Sequence, residues 1–321
     1  MNDFFVQLFS LYGKLAGGVI LGWILGRLLP KSTPTYLGQF LFWVGVPVSV
    51  VAFLRNTDLS GSIWLAPVVA WLAIFLGLGL GIFWLKIEAG KFNRNNRIPT
   101  FFDTPPSKLS QGSFLLLAMV GNTGYLGYPV ALALVGQKYF AWALFYDLLG
   151  TMFGAYGLGI VIAARYGTGL KNPLSLCLEM FYNPTLWSFG FGLLFRNVSL
   201  PSFLEESLQF IGWFIVALSL VLIGMRLSQL SSWRSLQPAC ISLVIKMVLI
   251  PLILGVLISF FGISGSPLLV IVLQMAMPPA FATLVLAEAY NLDRELTVTA
   301  LAIGSVGLLF TLPVWLWLFG N

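Results

Sequence analysis

The residues best suited to chemistry in this sequence lie at two places where long apolar runs are interrupted. The first interruption reads Gly121-Asn122-Thr123-Gly124-Tyr125-Leu126-Gly127-Tyr128-Pro129. The second reads Gln274-Met275-Ala276-Met277-Pro278-Pro279. Proline and glycine favour a break in a helix, after which a new helix begins. The first N–H groups of this new helix carry partial positive charge. Two such helix starts at one cavity would bind an anion without Arg or Lys.

The side chains at the two interruptions favour an organic anion. Asn122, Thr123 and Gln274 supply neutral hydrogen-bond donors, whereas the tyrosines and methionines suit an organic body or simply fill space between helices. Pro129 and Pro278 are expected to set the breaks. The site predicted from these residues comprises Asn122, Thr123, Gly124, Tyr128, Pro129, Gln274, Met277 and Pro278.

Two ionisable residues lie deep inside apolar runs, where charge is costly and indicates function by default. Asp147 is the best candidate for coupling to a proton or a cation. Lys246 has two possible roles: counter-ion to the substrate or to Asp147, or a structural donor to a carbonyl of a broken helix. No metal, cofactor or nucleotide motif accompanies these residues, and histidine is absent.

The elements that must position these residues are membrane-spanning helices. The chain is 59% hydrophobic and 9% charged, with a mean hydropathy of +0.94, which excludes an ordinary soluble domain. A span needs about 20 apolar residues. This criterion predicts ten spans, Phe5–Leu29, Thr35–Leu54, Ser62–Leu85, Ser110–Val135, Tyr139–Ala164, Pro173–Phe195, Leu204–Leu227, Pro238–Phe260, Pro267–Tyr290 and Leu296–Phe319.

Positive charge is distributed unevenly between the predicted loops. Twelve of the 17 Lys and Arg residues lie in the odd-numbered loops and three in the even-numbered ones. The positive-inside rule therefore places the odd loops, including the long polar loop 86–108, in the cytoplasm and both termini outside. Membrane topology explains the net charge of +6, so we expect no nucleic-acid partner.

Each half of the chain contains five predicted spans, so the second half enters the membrane in the opposite sense. The predicted repeats are residues 1–165 and 173–321. The interruptions fall in the fourth span of each, residues 110–135 and 267–290. Matched interruptions indicate inverted-topology repeats whose broken helices cross near the midplane. A kink that only permits tight helix packing is the alternative for either one.

Several stretches together resemble the auxin efflux carrier family, which includes plant carriers and bacterial organic-anion permeases. The matching stretches are Gly121-Asn122-Thr123-Gly124, Gly127-Tyr128-Pro129-Val130, Asn183-Pro184, Gly190 to Leu193, Gly224-Met225, Lys246 with Pro251, Met277-Pro278, Leu286-Ala287-Glu288-Ala289-Tyr290-Asn291 and Thr311-Leu312-Pro313.

This resemblance implies ten spans in two inverted repeats, with a scaffold domain and a transport domain that moves like an elevator. It implies a substrate carboxylate contacted by Asn122, with Asn183 and Thr185 nearby, and a homodimer formed through scaffold helices. On the residues alone, Asn183 and Pro184 are also an ordinary helix cap and first-turn pair. The short connection between the halves is typical of a compact bacterial member in the inner membrane.

The sequence thus predicts a secondary transporter of small organic anions, such as malate, malonate or auxin-like acids, and no enzyme. The first alternative is a sodium- or proton-coupled symporter of the bile-acid-symporter kind, which shares the crossover architecture. The second is a membrane sensor that binds the same ligand without transporting it. A channel fits paired interruptions less well than alternating access does.

Overall fold

The computed structural model describes residues 17–55, 57–59, 61–93, 107–168, 182–228 and 235–320. Within these residues the chain is helical throughout, and the only β-like pairing described is an isolated antiparallel bridge between Gly121 and Pro279. The predicted all-helical class is confirmed. The beginnings of the predicted first and sixth spans and most of the loop 86–108 lie outside the described residues.

The described segments form twelve helices. They are α1 (Gly17–Leu28), α2 (Thr33–Leu54), α3 (Leu65–Asn93), α4 (Lys108–Met119), α5 (Tyr128–Leu134), α6 (Gln137–Tyr166), α7 (Pro184–Phe195), α8 (Ser202–Ser228), α9 (Leu236–Phe260), α10 (Gly265–Met275), α11 (Phe281–Ala289) and α12 (Arg294–Phe319).

Six of these helices are long and apolar enough to cross a membrane: α2, α3, α6, α8, α9 and α12. Each begins and ends within a few residues of a predicted span, except that α3 continues to Asn93. The first residues of the predicted polar loop 86–108 are therefore helical. The predicted fourth and ninth spans are each divided into two short helices, α4 with α5 and α10 with α11.

The chain forms two compact units. Unit 1 comprises the described parts of Met1–Ile63, Gly124–Leu144 and Phe181–Leu230. Unit 2 comprises the described parts of Trp64–Thr123, Phe145–Met180 and Ser231–Asn321. Both units draw on both halves of the sequence. They describe packing rather than internal repetition, so the predicted repeats 1–165 and 173–321 stay a prediction.

In unit 1, helices α1 and α8 approach each other at their backbones. A Cβ atom added to Gly22 would lie 2.0 Å from the carbonyl oxygen of Val221, and one added to Gly224 would lie 1.9 Å from that of Val19. Small residues that let helix backbones touch are a common basis of association between membrane helices. The spacing Gly18, Gly22 and Gly26 places such residues on one face of α1.

A second feature of unit 1 is a polar network around Arg55, at the end of α2. Its guanidinium donates to the carbonyl oxygens of Phe195 at 2.7 Å and Val198 at 2.6 Å, and to Glu205 Oε2 at 3.0 Å. Gln209 on α8 donates to the carbonyl of Ala52 at 2.8 Å. These bonds tie the ends of α2 and α7 to the start of α8.

Replacing Arg55 by methionine is expected to destabilise the protein by about 2 kcal/mol, because two carbonyls and a carboxylate lose a charged donor. The measurement is the thermal unfolding midpoint in detergent. Glu205→Gln is the matched variant, since it leaves both carbonyl contacts in place, and a smaller loss is expected. Equal losses in the two variants would contradict this account of the network.

In unit 2, hydroxyl groups join the start of α4 to the start of α12. Asp293 caps α12 by accepting from the backbone N–H of Leu296 at 3.0 Å, and its other oxygen accepts from Ser110 Oγ at 2.7 Å. Ser113 Oγ donates to the backbone carbonyl of Asp293 at 2.9 Å. The first half of one interrupted segment is therefore held against a long, continuous helix.

Candidate functional site

The start of the first interruption lies against the second interruption within unit 2. The backbone N–H of Asn122 donates to the carbonyl of Pro278 at 2.7 Å, and that of Ala280 donates to the carbonyl of Val120 at 3.0 Å. Pro278 and Pro279 have no N–H groups, so the chain cannot continue α10 as a regular helix there. The two interrupted segments thus satisfy part of their exposed backbone by pairing with each other.

The first break begins earlier in the sequence than its proline. Helix α4 ends at Met119, Val120 is extended, and a π-helical turn at Thr123–Gly127 leads into α5. Pro129 lies in the first turn of α5, where a missing N–H costs little. The expectation that Pro129 sets this break therefore does not match its position, whereas Pro278 lies inside the second break.

Lys246 is a buried cation that contacts both breaks. It lies in a π-helical turn of α9, Ile245–Leu249, and its side chain is only 2% exposed. Its ammonium group donates to the carbonyl of Met275, the last residue of α10, at 2.6 Å. No acidic side chain of the described residues forms an ion pair with it.

The same ammonium group lies beside the first break. A Cβ atom on Gly121 would lie 2.9 Å from Lys246 Cε and 3.0 Å from its Nζ. The side chain therefore fits because residue 121 is glycine. The hydrogen bond to the Met275 carbonyl is expected if Lys246 has a structural role. The absence of a carboxylate partner among the described residues is expected if Lys246 is the counter-ion of the substrate. Both roles predicted from the sequence stay open on these contacts.

Two carboxamides near the breaks are buried and form no side-chain hydrogen bond to the described residues. Gln274 is fully buried, and neither polar atom of its side chain has a hydrogen-bond partner in the described part of the chain. Asn122 is 4% exposed, and its side chain likewise forms no hydrogen bond to the residues described. Buried polar groups are nearly always paired, so these two amides are available to a bound ligand.

Asp147 is connected to the first break through Thr123. The buried Thr123 hydroxyl donates a hydrogen bond to Asp147 Oδ1. Asp147 itself begins a π-helical turn, Asp147–Thr151. Thr123, Asp147 and Lys246 thus all lie in π-helical turns, which are frequent at functional sites.

Some predicted site residues belong to unit 1, where local contacts account for them. Tyr128 is buried edge-to-face against Phe140, with ring centroids 5.3 Å apart. The side chain of Asn183 caps α7 by accepting from the backbone N–H of Thr185 at 2.9 Å, as the capping alternative predicted. Gly124 lies in the π-helical turn before α5. Their contact with substrate stays a prediction.

Within unit 2, the breaks bring together most of the predicted site, namely Asn122, Thr123, Met277 and Pro278 with Asp147, Lys246 and Gln274. The site predicted from the sequence does not include Gly121, although its contact with Lys246 makes it part of the paired breaks. A glycine directly before the buried Asn was the available signal.

The arrangement can hold one negative charge. The buried ammonium group supplies donors only, each carboxamide supplies two N–H donors beside one acceptor oxygen, and carboxylates accept from such donors. Ala280 provides no side-chain acceptor for the first turn of α11, so this helix start adds its partial positive charge to the second break. A carboxylate fits this set of groups better than a cation does.

Comparison with known proteins identifies the family. Residues 17–316 match the model of a family described as membrane transport protein. The chain is 31% identical over 219 residues to an uncharacterized transporter of Methanocaldococcus jannaschii, covering 65% of this chain and 69% of the relative. It is 26% identical over 308 residues to one of Methanothermobacter thermautotrophicus, covering 92% and 93%.

A third relative is the uncharacterized transporter YfdV of Escherichia coli, which is 22% identical over 208 residues, or 63% of this chain and 66% of YfdV. The family match covers most of the described helices and both interruptions, and it confirms the resemblance that the two interruptions predicted. The chain therefore belongs to the membrane transport protein family, the family of the auxin efflux carriers, and is a membrane transporter.

Proposed function

We propose that the protein is a secondary transporter of small organic anions that binds the carboxylate of its substrate at the paired breaks. One observation carries this proposal: the two interruptions pair beside the buried ammonium group of Lys246 and beside the carboxamides of Asn122 and Gln274, which form no side-chain hydrogen bond to the described residues. Small carboxylic acids such as malate or malonate fit the small polar set and the apolar Met277 beside it.

The architecture that accompanies this proposal has ten spans in two inverted five-helix repeats, 1–165 and 173–321. Segments 110–135 and 267–290 are its crossover helices, and transport proceeds by an elevator movement. Both termini lie outside the inner membrane, the loop 86–108 lies in the cytoplasm, and two copies form a dimer through scaffold helices. The interruptions and the distribution of Lys and Arg support this arrangement.

Uptake into proteoliposomes tests the function. A panel of labelled mono- and dicarboxylates is offered to the parent protein and to Asn122→Ala. We expect saturable uptake of at least one acid, with its apparent affinity about tenfold weaker in the variant, because a hydrogen bond to a charged group is lost. Unchanged affinity and rate in a folded Asn122→Ala protein would refute the site.

Coupling to a cation is the second candidate, and the bond between Thr123 and Asp147 favours it. The same liposomes are given imposed sodium, pH and voltage gradients. A strict requirement for sodium or a pH gradient, lost in Asp147→Asn, would establish a symporter with Asp147 as its coupling residue. Binding of an acid without uptake under any gradient would indicate a sensor.

A further inference from the structure

Three cationic residues gather at one end of unit 1. Arg27 lies in the last turn of α1, Lys31 in the turn between α1 and α2, and Arg226 in the last turn of α8. The helices that carry them are in contact there, because a Cβ atom on Gly26 would lie 2.2 Å from Ser228 Oγ. The close approach of α1 and α8 thus brings separate parts of the sequence into one basic cluster.

The side chains of this cluster are held in position by their neighbours. The guanidinium of Arg27 lies 3.8 Å from the ring centroid of Trp23, which is 39% exposed. The guanidinium of Arg226 lies over the backbone of α2, where a Cβ atom on Gly38 would be 2.7 Å from its Nη2. Arg226 also interacts electrostatically with Tyr125. Arg27 is therefore an exposed cation of the cluster, whereas Arg226 is half-buried.

The surroundings of the cluster are apolar and exposed. Ile20, Ile24 and Leu28 follow one face of α1, and they are 57%, 44% and 75% exposed. A tryptophan and an arginine at the end of such a face are typical of the boundary between lipid tails and headgroups. This environment suits an amphiphile with a negative head better than a free inorganic anion.

The cations elsewhere in unit 1 are engaged differently. Arg55, at the end of α2, donates to two carbonyls and to Glu205. Arg196, directly after α7, donates to the carbonyl of Thr57 at 2.9 Å. By contrast, Arg27 forms no ion pair and no hydrogen bond to the described residues, and its guanidinium lies over the face of Trp23.

We propose that Arg27, Lys31 and Arg226 bind the phosphate of an anionic phospholipid whose acyl chains lie along the apolar face of α1. Basic clusters between membrane helices are suited to such headgroups, because each Lys or Arg near the membrane surface attracts anionic lipid. Because a ligand that binds only the folded protein shifts the unfolding equilibrium, the bound lipid is expected to stabilise the protein. The proposal does not depend on the identity of the transported substrate.

The test uses the purified full-length protein in neutral detergent. Its thermal unfolding midpoint is followed while dioleoyl phosphatidylglycerol, dioleoyl phosphatidylcholine or inorganic phosphate is added. We expect phosphatidylglycerol to raise the midpoint and the other two to leave it unchanged. Arg27→Gln and Lys31→Gln are each expected to raise the half-saturating phosphatidylglycerol concentration about fivefold.

Two further variants separate charge from folding. Arg27→Lys keeps the charge and is expected to retain most of the binding. Lys138→Gln is the matched control, because Lys138 is also an exposed cation over an aromatic ring, 5.4 Å from the centroid of Tyr139, and no effect is expected. An equal rise with phosphatidylcholine, a rise with phosphate alone, or equal effects of Arg27→Gln and Lys138→Gln would each overturn the proposal.

Discussion

Replacing Lys246 by methionine is expected to weaken the apparent affinity for the transported acid about a hundredfold while the protein still folds. The ammonium group is the one buried charge in contact with both breaks among the described residues. A hydrogen bond to a charged group contributes up to about 3 kcal/mol, which corresponds to this change in affinity. Methionine fills a similar volume without charge, so the surrounding helices keep their packing. Saturable uptake into proteoliposomes gives the affinity.

The same variant distinguishes the two roles of Lys246. A purely structural ammonium group would leave the carbonyl of Met275 unpaired when removed, which lowers the unfolding midpoint but does not change the affinity of the protein that remains folded. Lys108→Met is the matched control, because Lys108 is an exposed lysine of the same unit at the start of α4. A lowered midpoint with unchanged affinity would exclude the counter-ion role.

The sequence was sufficient to predict where helices are interrupted. Interruption is a local property: a proline pair at residues 278 and 279 removes two backbone donors, and glycines at 121 and 124 reduce the cost of leaving a helix. The apolar lengths of α2, α8 and α9 were predictable for the same reason, since each continuous run is set by composition over about 20 residues. The cap at Asn183 is equally local.

The sequence predicts that the two broken helices cross, but it does not predict which groups pair, because the pairing depends on tertiary structure. No local rule states that Asn122 donates to Pro278, or that Lys246 on a third helix reaches the end of α10. No local rule applied to the sequence predicted the π-helical turns at Thr123, Asp147 and Lys246 either. The first break begins at Val120 for a similar reason, since its backbone is satisfied by Ala280.

Three glycines spaced four residues apart in the sequence indicate that α1 contacts another helix closely. They do not indicate that this helix is α8. Helical spacing puts Gly18, Gly22 and Gly26 on one face. Which helix that face contacts is decided by Gly224, some 200 residues later, whose missing side chain lets the two backbones touch. A single-sequence reading can identify such a face, whereas its partner requires the folded structure.

Replacing Gly22 by alanine is therefore expected to destabilise the protein by about 3 kcal/mol, at the upper end of what overpacking costs. The added methyl group would lie 2.0 Å from the carbonyl oxygen of Val221 and 2.9 Å from its Cα. These are backbone atoms and cannot rotate away, so the helices must separate along their length. The unfolding midpoint in detergent measures the loss.

Gly79→Ala provides the control, since Gly79 lies inside α3 and a Cβ atom there meets nothing within 4 Å. Its expected change is small, because alanine is at least as compatible with a helix as glycine. The comparison separates loss of contact from any general effect of added volume. Equal midpoints for Gly22→Ala and Gly79→Ala would mean that α1 and α8 are not held together by backbone contact, and the basic cluster at their end would then lose its structural basis as well.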